Sequence, residues 1–393
     1  MEMTKPQHFF QFEAPDLAPV IVCEHTAVGW RGLTRDGEIL NVSAHVNGTP
    51  ITIPERMAMR RGDKIVGYCA IESKPSDGVI ADYISHLDCS TRLIRNNDPL
   101  RALAEIDIAL ACARTVLARY NRAMILLQLG CWQEGFDEFA YCEQNSSLFM
   151  RPQWAVAMEC GLKPWRGETI AGKKLLLIHD HGFGDTIMML RFVPQLQAMG
   201  ADVVLQVPPE LERLAAQVAP VTHELVDADY VCSILLLMGQ FSDLTGRAAP
   251  YLNVAPAWID KWRNTIDRTH KNIGIAWSVG VEHKDDFPRS CSHTKFICYL
   301  GGEAMLHSVQ QNGIRFEDFA DCAALMSLMD EIVTVDTAAV HLAGAIGHPR
   351  ITLMLSHWAS WRWQLPLYQN LRICKQTSPG DWESAFVARH CTK

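Results

Sequence analysis

The stretch from Glu331 to Pro349, EIVTVDTAAVHLAGAIGHP, limits what this chain can fold into more than any other. Ile332, Val333 and Val335 form a short β-branched apolar run, the pattern of a strand covered on both faces. Asp336 or Thr337 is a good N-cap. Ala338, Ala339, Leu342, Ala343 and Ala345 make the next segment strongly helical, and the helix ends near Gly347 ahead of Pro349. Its small residues let it pack close to a sheet. A strand that opens at its carboxyl end onto a helix N-terminus offers backbone N–H groups and a favourable dipole to an anion. In open α/β sheets that is where ligands bind. His341 lies one turn in and can face the same crevice.

The remaining composition fits an ordinary globular enzyme. The 393 residues leave room for two or three domains with sizeable cores. Hydrophobic content is 48% and charged content 20%, so a packed fold is expected. A net charge of −8 argues against general nucleic-acid binding. There are 13 cysteines and no C-x-x-C pair, which suits reduced thiols in a cytoplasmic protein better than a disulfide framework. The first residues lack the apolar segment of a signal peptide. The longest apolar run, Val231 to Met238, is too short to span a bilayer.

Texture divides the chain further. Residues 1–82 alternate apolar and polar positions between the turn signals Asp36-Gly37 and Asn47-Gly48, and predict a small antiparallel β-sandwich-like accessory module. Residues 83–165 carry apolar positions at helical spacing. From about Lys173 strands and helices alternate, and after a break around Pro250 to His270 the pattern restarts. Two such runs predict an α/β fold of two doubly wound, Rossmann-like halves, 166–265 and 266–393, facing each other across a cleft, with GDWESAFVARH as the last helix.

Each half carries chemistry. In the first, HDHGFGDTIMMLRFVP puts Gly182 and Gly184 in a tight turn after a strand, with His181 beside them and Asp185 at the helix start. A carboxylate there can take a proton from a hydroxyl; equally, the glycines can simply make the turn while Asp185 caps the helix. In the second, GIAWSVGVEHKDDFPRSC places Ser278, Lys284 and Arg289 in a loop after a strand, where cations can neutralise a diphosphate or simply be solvated. Met188-Met189 and Leu235 to Leu237 read as core, and Trp358, Trp361 and Trp363 as packing at the sheet edge.

The helical segment resembles tetratricopeptide repeats through Ala104, Ala109, Tyr120-Asn121-Arg122-Ala123, Leu126, Leu129-Gly130, Trp132, Glu134 and Phe139, about one and a half repeats. Taken with H-D-x-G-x-G-D-T…R-F-V-P, G-I-A-W-S, F-A-D-C-A-A-L, D-T-A-A-V-H-L-A-G-A-I-G-H-P and W-R-W, residues 85 to 390 resemble the bacterial tetratricopeptide-repeat glycosyltransferase-like proteins. These are relatives of the ADP-heptose lipopolysaccharide heptosyltransferases. The resemblance implies a GT-B fold and a metal-independent, inverting transfer with no cofactor. The substrate is a nucleotide sugar, with ADP-heptose a candidate, and the acceptor a hydroxyl on a protein, glycan or lipid. It implies that Asp185 is the general base, that Asp336, Thr337 and Ala338 hold the donor diphosphate and sugar, and that Ser278 and His341 fall on motif positions. His181 stands where the family often has Gln. A homo-oligomer is compatible with the sequence. Two other classes compete. One is a non-catalytic interaction protein built on the same scaffold. The other is a metal-dependent hydrolase using His179, Asp180, His181 and Asp185, which needs the turn to bring residues on opposite strand faces together.

Overall fold

A computed structural model describes residues 20–26, 29–34, 39–43, 45–46, 49–50, 56–61, 64–70, 79–145, 152–279, 289–302, 304–310 and 316–391. The chain divides into two compact units, residues 1–150 and 151–393.

The first unit opens with β1 (Val20–Thr26), β2 (Gly29–Thr34), β3 (Ile39–Ser43), β4 (His45–Val46), β5 (Thr49–Pro50), β6 (Arg56–Arg61) and β7 (Lys64–Ala70). The expected antiparallel pairing is present: β1, β2, β3, β6 and β7 form one five-stranded sheet in that order, and β4 pairs with β5. Among the described residues these strands make one sheet and one two-stranded pair. Helices α1 (Val79–Arg95), α2 (Pro99–Cys112), α3 (Val116–Gln128) and α4 (Trp132–Asn145) follow. The Asp98 side chain accepts from the Arg101 N–H at the start of α2, and Thr115 accepts from Ala118 at the start of α3. Ile80, Tyr83, Ala102, Ile106, Ala118 and Ile125 are buried together with Leu33. Arg122 reaches Asp107 and Glu134, each at 2.7 Å. Both carboxylates are half exposed, so those ion pairs add little beside the apolar burial.

The second unit runs α5 (Pro152–Glu159), β8 (Lys174–Ile178), α6 (Phe183–Met189), α7 (Val193–Ala198), β9 (Asp202–Gln206), α8 (Glu212–Ala215), β10 (Val221–Thr222) and β11 (Tyr230–Ser233). It continues with α9 (Pro256–Arg263), β12 (Asn272–Ala276), α10 (His293–Leu300), β13 (Met305–Ser308), α11 (Phe319–Met326) and β14 (Glu331–Val335). The last elements are α12 (Ala338–Ala345), β15 (Ile351–Leu355), β16 (Leu371–Lys375) and α13 (Trp382–His390). The sequence pattern predicts one helix from Asp185 to Gly200. Two form instead, separated by a 3-10 turn at Leu190–Phe192. Pro194 lacks the N–H that would continue the ladder, and its ring would meet the carbonyl four residues back.

The unit is mixed α/β with two parallel sheets, ordered β10-β9-β8-β11 and β13-β12-β14-β15-β16. β14 and β15 are buried at every position, which explains their continuous apolar runs. In the first sheet the strand order reverses about β8; in the second it reverses between β12 and β14. Crevices in such sheets open at the carboxyl ends beside these reversals. The turns carrying Asp185, Ser278 and Asp336 all lie there.

Candidate functional site

After β8 the chain turns at Asp180 to Gly182 and enters α6. Gly182, not Asp185, is the N-cap. Asp185 stands at the third helical position, and its carboxylate accepts from the Gly182 N–H at 3.3 Å while the Gly182 carbonyl accepts from Thr186. One carboxylate oxygen is thereby fixed and the other is left for a second partner. Gly184 has a different task from the turn. A Cβ there would lie 2.9 Å from His341 Cδ2 and 3.1 Å from Ala338 Cα. The glycine lets the first turn of α6 lie directly against the first turn of α12, so the N-termini of two helices from the two sheets meet.

On the α12 side Thr337 is the N-cap; its hydroxyl accepts from Ala339 N–H and lies 3.2 Å from the Thr334 hydroxyl. Asp336, just before it, is only 7% exposed. Helix α12 closes with Gly347 at φ +69°, where His348 N–H reaches the Ala343 carbonyl and Gly347 N–H the Gly344 carbonyl, a left-handed helix stop. Ser278 follows β12, and Gln310 pins it. The Gln310 side-chain Oε1 accepts from the Trp277 and Ser278 N–H groups, and its Nε2 donates to Ser278 Oγ at 3.1 Å. Trp277 stacks on His293 with centroids 4.1 Å apart.

Arg362 joins the two sides. It sits on a 3-10 turn, Trp361–Gln364, beyond the carboxyl end of β15. Its Nη2 donates to Asp185 Oδ1 at 2.5 Å, its Nη1 donates to Ser360 Oγ, and its guanidinium lies over the Trp361 ring. Burial alone would raise the Asp185 pKa, but Arg362, with His181 and His341, outweighs it and holds the carboxyl below its usual range. Asp336 goes the other way. Its burial prevails over the neighbouring Trp363, Arg289 and Arg362, the Asp185 charge adds to the effect, and its pKa is raised. Two nearby carboxyl groups are thus driven apart in acidity.

His341 is 4% exposed and lies beneath this junction. Burial pushes its pKa down to about 3, so the ring is neutral. Its Nδ1 is 3.0 Å from the Tyr368 hydroxyl, and it stacks on Trp363 with centroids 5.1 Å apart. Trp363 therefore covers His341 rather than a sheet edge. Tyr368 packs on Gly344, where a Cβ would come within 2.2 Å of its ring. Arg191, 1% exposed, completes the layer, donating to the carbonyls of Met188, Thr245 and Leu367 and lying over the rings of Tyr251 and Tyr368.

Of the residues singled out in the sequence, Gly182, Gly184, Asp185, Asp336, Thr337, Ala338 and His341 gather at this junction. His181 stands in the same turn, its Nε2 3.9 Å from Asp180 Oδ1, and acts on Asp185. Ser278 lies across the strand-order reversal, and the Arg289 charge reaches Asp336. Lys284 lies outside the described residues. His179 turns to Thr186, at 2.7 Å, and stacks on Phe183. Sequence reasoning missed Arg362, Gln310 and Tyr368 as site residues. The available signal for Arg362 was a lone cation between two tryptophans just past a buried strand.

Residues 317–389 match the model of glycosyltransferase family 9 (heptosyltransferase). That segment runs from the start of α11 into α13 and contains Asp336, Thr337, His341 and Arg362. The enzyme class named by that family model is glycosyltransferase. The chain is 23% identical to protein FlbA of Caulobacter vibrioides, over 72% of this chain and 57% of that protein. It therefore spans little more than half the length of that relative. Among solved structures it is similar to E. coli ADP-heptose lps heptosyltransferase II, at 12% identity and TM-score 0.39, covering 56% of this chain and 100% of that one. A glycosyl transferase family 9 structure from Veillonella parvula gives 10% identity and TM-score 0.39, covering 58% and 92%. Among the described residues no helix is long and apolar enough to cross a membrane.

Proposed function

We propose that this chain transfers a sugar from a nucleotide-sugar donor to a hydroxyl acceptor, with inversion and without a metal, in a GT-B arrangement of its two sheets. The observation that carries this reading is the meeting of α6 and α12 through Gly184, which sets the Asp185 carboxylate beside the Asp336–Ala338 helix start. Asp185 takes the acceptor proton. An ionised carboxylate, anchored through one oxygen by Gly182, suits that task. Thr337 and Ala338 receive the diphosphate at the α12 N-terminus, and Asp336 orients the sugar. Arg289 and Ser278 serve the donor from the β12 side, and Lys284 adds charge for the diphosphate. His341 supports the helix start from below. His181, Gly182 and Gly184 shape the acceptor side. ADP-heptose is the first donor to try, given the family 9 match.

The test is incubation with a panel of nucleotide sugars and chromatographic detection of released nucleoside diphosphate. Asp185→Asn is expected to lower turnover by at least about 100-fold while donor binding persists. Failure to bind any nucleotide sugar or nucleoside diphosphate would end this reading. The Asp185–Arg362 pair favours a second reading, since the proposed base already has a cationic partner: a scaffold that binds partners without chemistry. In that case Asp185→Asn leaves the biological effect intact.

A further inference from the structure

Arg362 is placed between two demands. One guanidinium nitrogen holds Asp185, another holds Ser360, and the Trp361 face supports the plane. Its Nε is buried and has no hydrogen-bond partner among the described residues. A buried N–H is costly unless something accepts from it. The same guanidinium acts on Asp336, immediately before the α12 start. A planar fork with its Nε donor unspent, near a helix N-terminus, suits a phosphate oxygen.

We propose that Arg362 is exchanged between the base and the leaving group. This rests on the glycosyl-transfer reading above. A diphosphate seated at the start of α12 draws the guanidinium from Asp185 onto its own oxygens. The freed carboxylate then accepts the acceptor's O–H proton as the acceptor oxygen bonds to the anomeric carbon. The bond from that carbon to the diphosphate oxygen breaks, its electron pair leaves with the diphosphate, and Arg362 meets that charge. Donor occupancy thus arms the base, and water is not activated before the donor is seated. The other groups facing Asp185 are His181 from its own turn, His341 from α12 and Asp336 from the end of β14. None is a second permanent cation, because the His341 ring is neutral and His181 is an imidazole.

The exchange predicts energetic coupling that simple repulsion does not. Calorimetric titration of the full chain with inorganic diphosphate is compared for wild type, Asp185→Asn, Arg362→Gln and the double variant. Asp185→Asn is expected to tighten Kd about tenfold by releasing the guanidinium, and Arg362→Gln to weaken it about tenfold. In the Arg362→Gln background, Asp185→Asn should change Kd by about twofold or less. Equal tightening in both backgrounds would show that the carboxylate merely repels the anion. That overturns the exchange and leaves the glycosyl-transfer reading standing. A wild-type chain that binds neither inorganic diphosphate nor any nucleoside diphosphate or nucleotide sugar overturns both. If Arg362→Gln does not fold, Arg362→Lys carries the same cycle, since it keeps the charge and loses the fork.

Discussion

His341 shows how one side chain can carry a pH dependence. Its imidazole is buried, with a folded pKa of about 3 against about 6.5 for an exposed ring. A depressed pKa gives stability that is complete above the unfolded value and is lost as pH falls toward the folded one. Between pH 7 and pH 5 this residue alone should cost about 2 kcal/mol of stability. Urea unfolding of wild type and His341→Gln at both pH values checks it. The variant should lose less stability on acidification, and parallel losses would contradict the assignment. Asp185 adds a loss in the same direction at lower pH, since its folded pKa lies below the usual carboxyl range. Asp336 opposes both, because its raised pKa favours the folded state on acidification. Of these residues the sequence disclosed identity and motif position. It did not disclose which would be buried, and burial drives the Asp336 and His341 shifts while opposing that of Asp185.

At the level of elements, Gly184 decides how closely α6 approaches α12. Gly184→Ala places a methyl against Ala338 Cα and the His341 ring, at distances where backbone must give way. The helix pair should separate, with a stability loss of about 1–3 kcal/mol from overpacking. The proposed transfer should fall at least about tenfold even in folded protein, because base and donor site move apart. Thermal melting together with turnover measures the two effects, and unchanged turnover would show that the contact is incidental. The core elements themselves were readable. β8, β9, β12, β14 and β15 sit on the apolar runs, and α12 ends where Gly347 and Pro349 predict. The short strands β10, β13 and β16, and helices α9 and α10, were not. Each is brief or carries mixed polarity, so its pairing or packing partner defines it rather than its own pattern.

Across the second unit, a buried arginine holds the two sheets in register. Arg191 follows α6, yet it donates to the Leu367 carbonyl ahead of β16 and to Thr245 beyond β11. Arg213 of α8 makes a second clasp to Asp318 and Asp321 of α11, in which Asp318 also caps the helix. The Arg213 clasp is partly solvated and is worth less. Arg191→Met keeps most of the volume but strips three carbonyls of their donor, at a cost of about 3 kcal/mol. Chemical denaturation should show that loss, accompanied by weaker protection of α12 amides from hydrogen exchange. A change below about 0.5 kcal/mol would mean that apolar packing between the sheets suffices.

The sequence by itself determined the local grammar: buried strands followed by helices, the Gly-rich turn at 182–184, and the Asp-Thr-Ala helix start. Those features depend on neighbours a few residues away, which period, capping and backbone freedom encode. Only the tertiary structure decided what meets at the junction. Arg362 reaches Asp185 across 177 residues of chain, and Gly184 touches a helix that begins more than 150 residues later. No local pattern carries such contacts, because they follow from how two twisted parallel sheets bring their carboxyl ends together. The Asp336–Thr337–Ala338 turn was legible as a helix start from its own residues. That Arg362 holds Asp185 close beside it is a property of the fold.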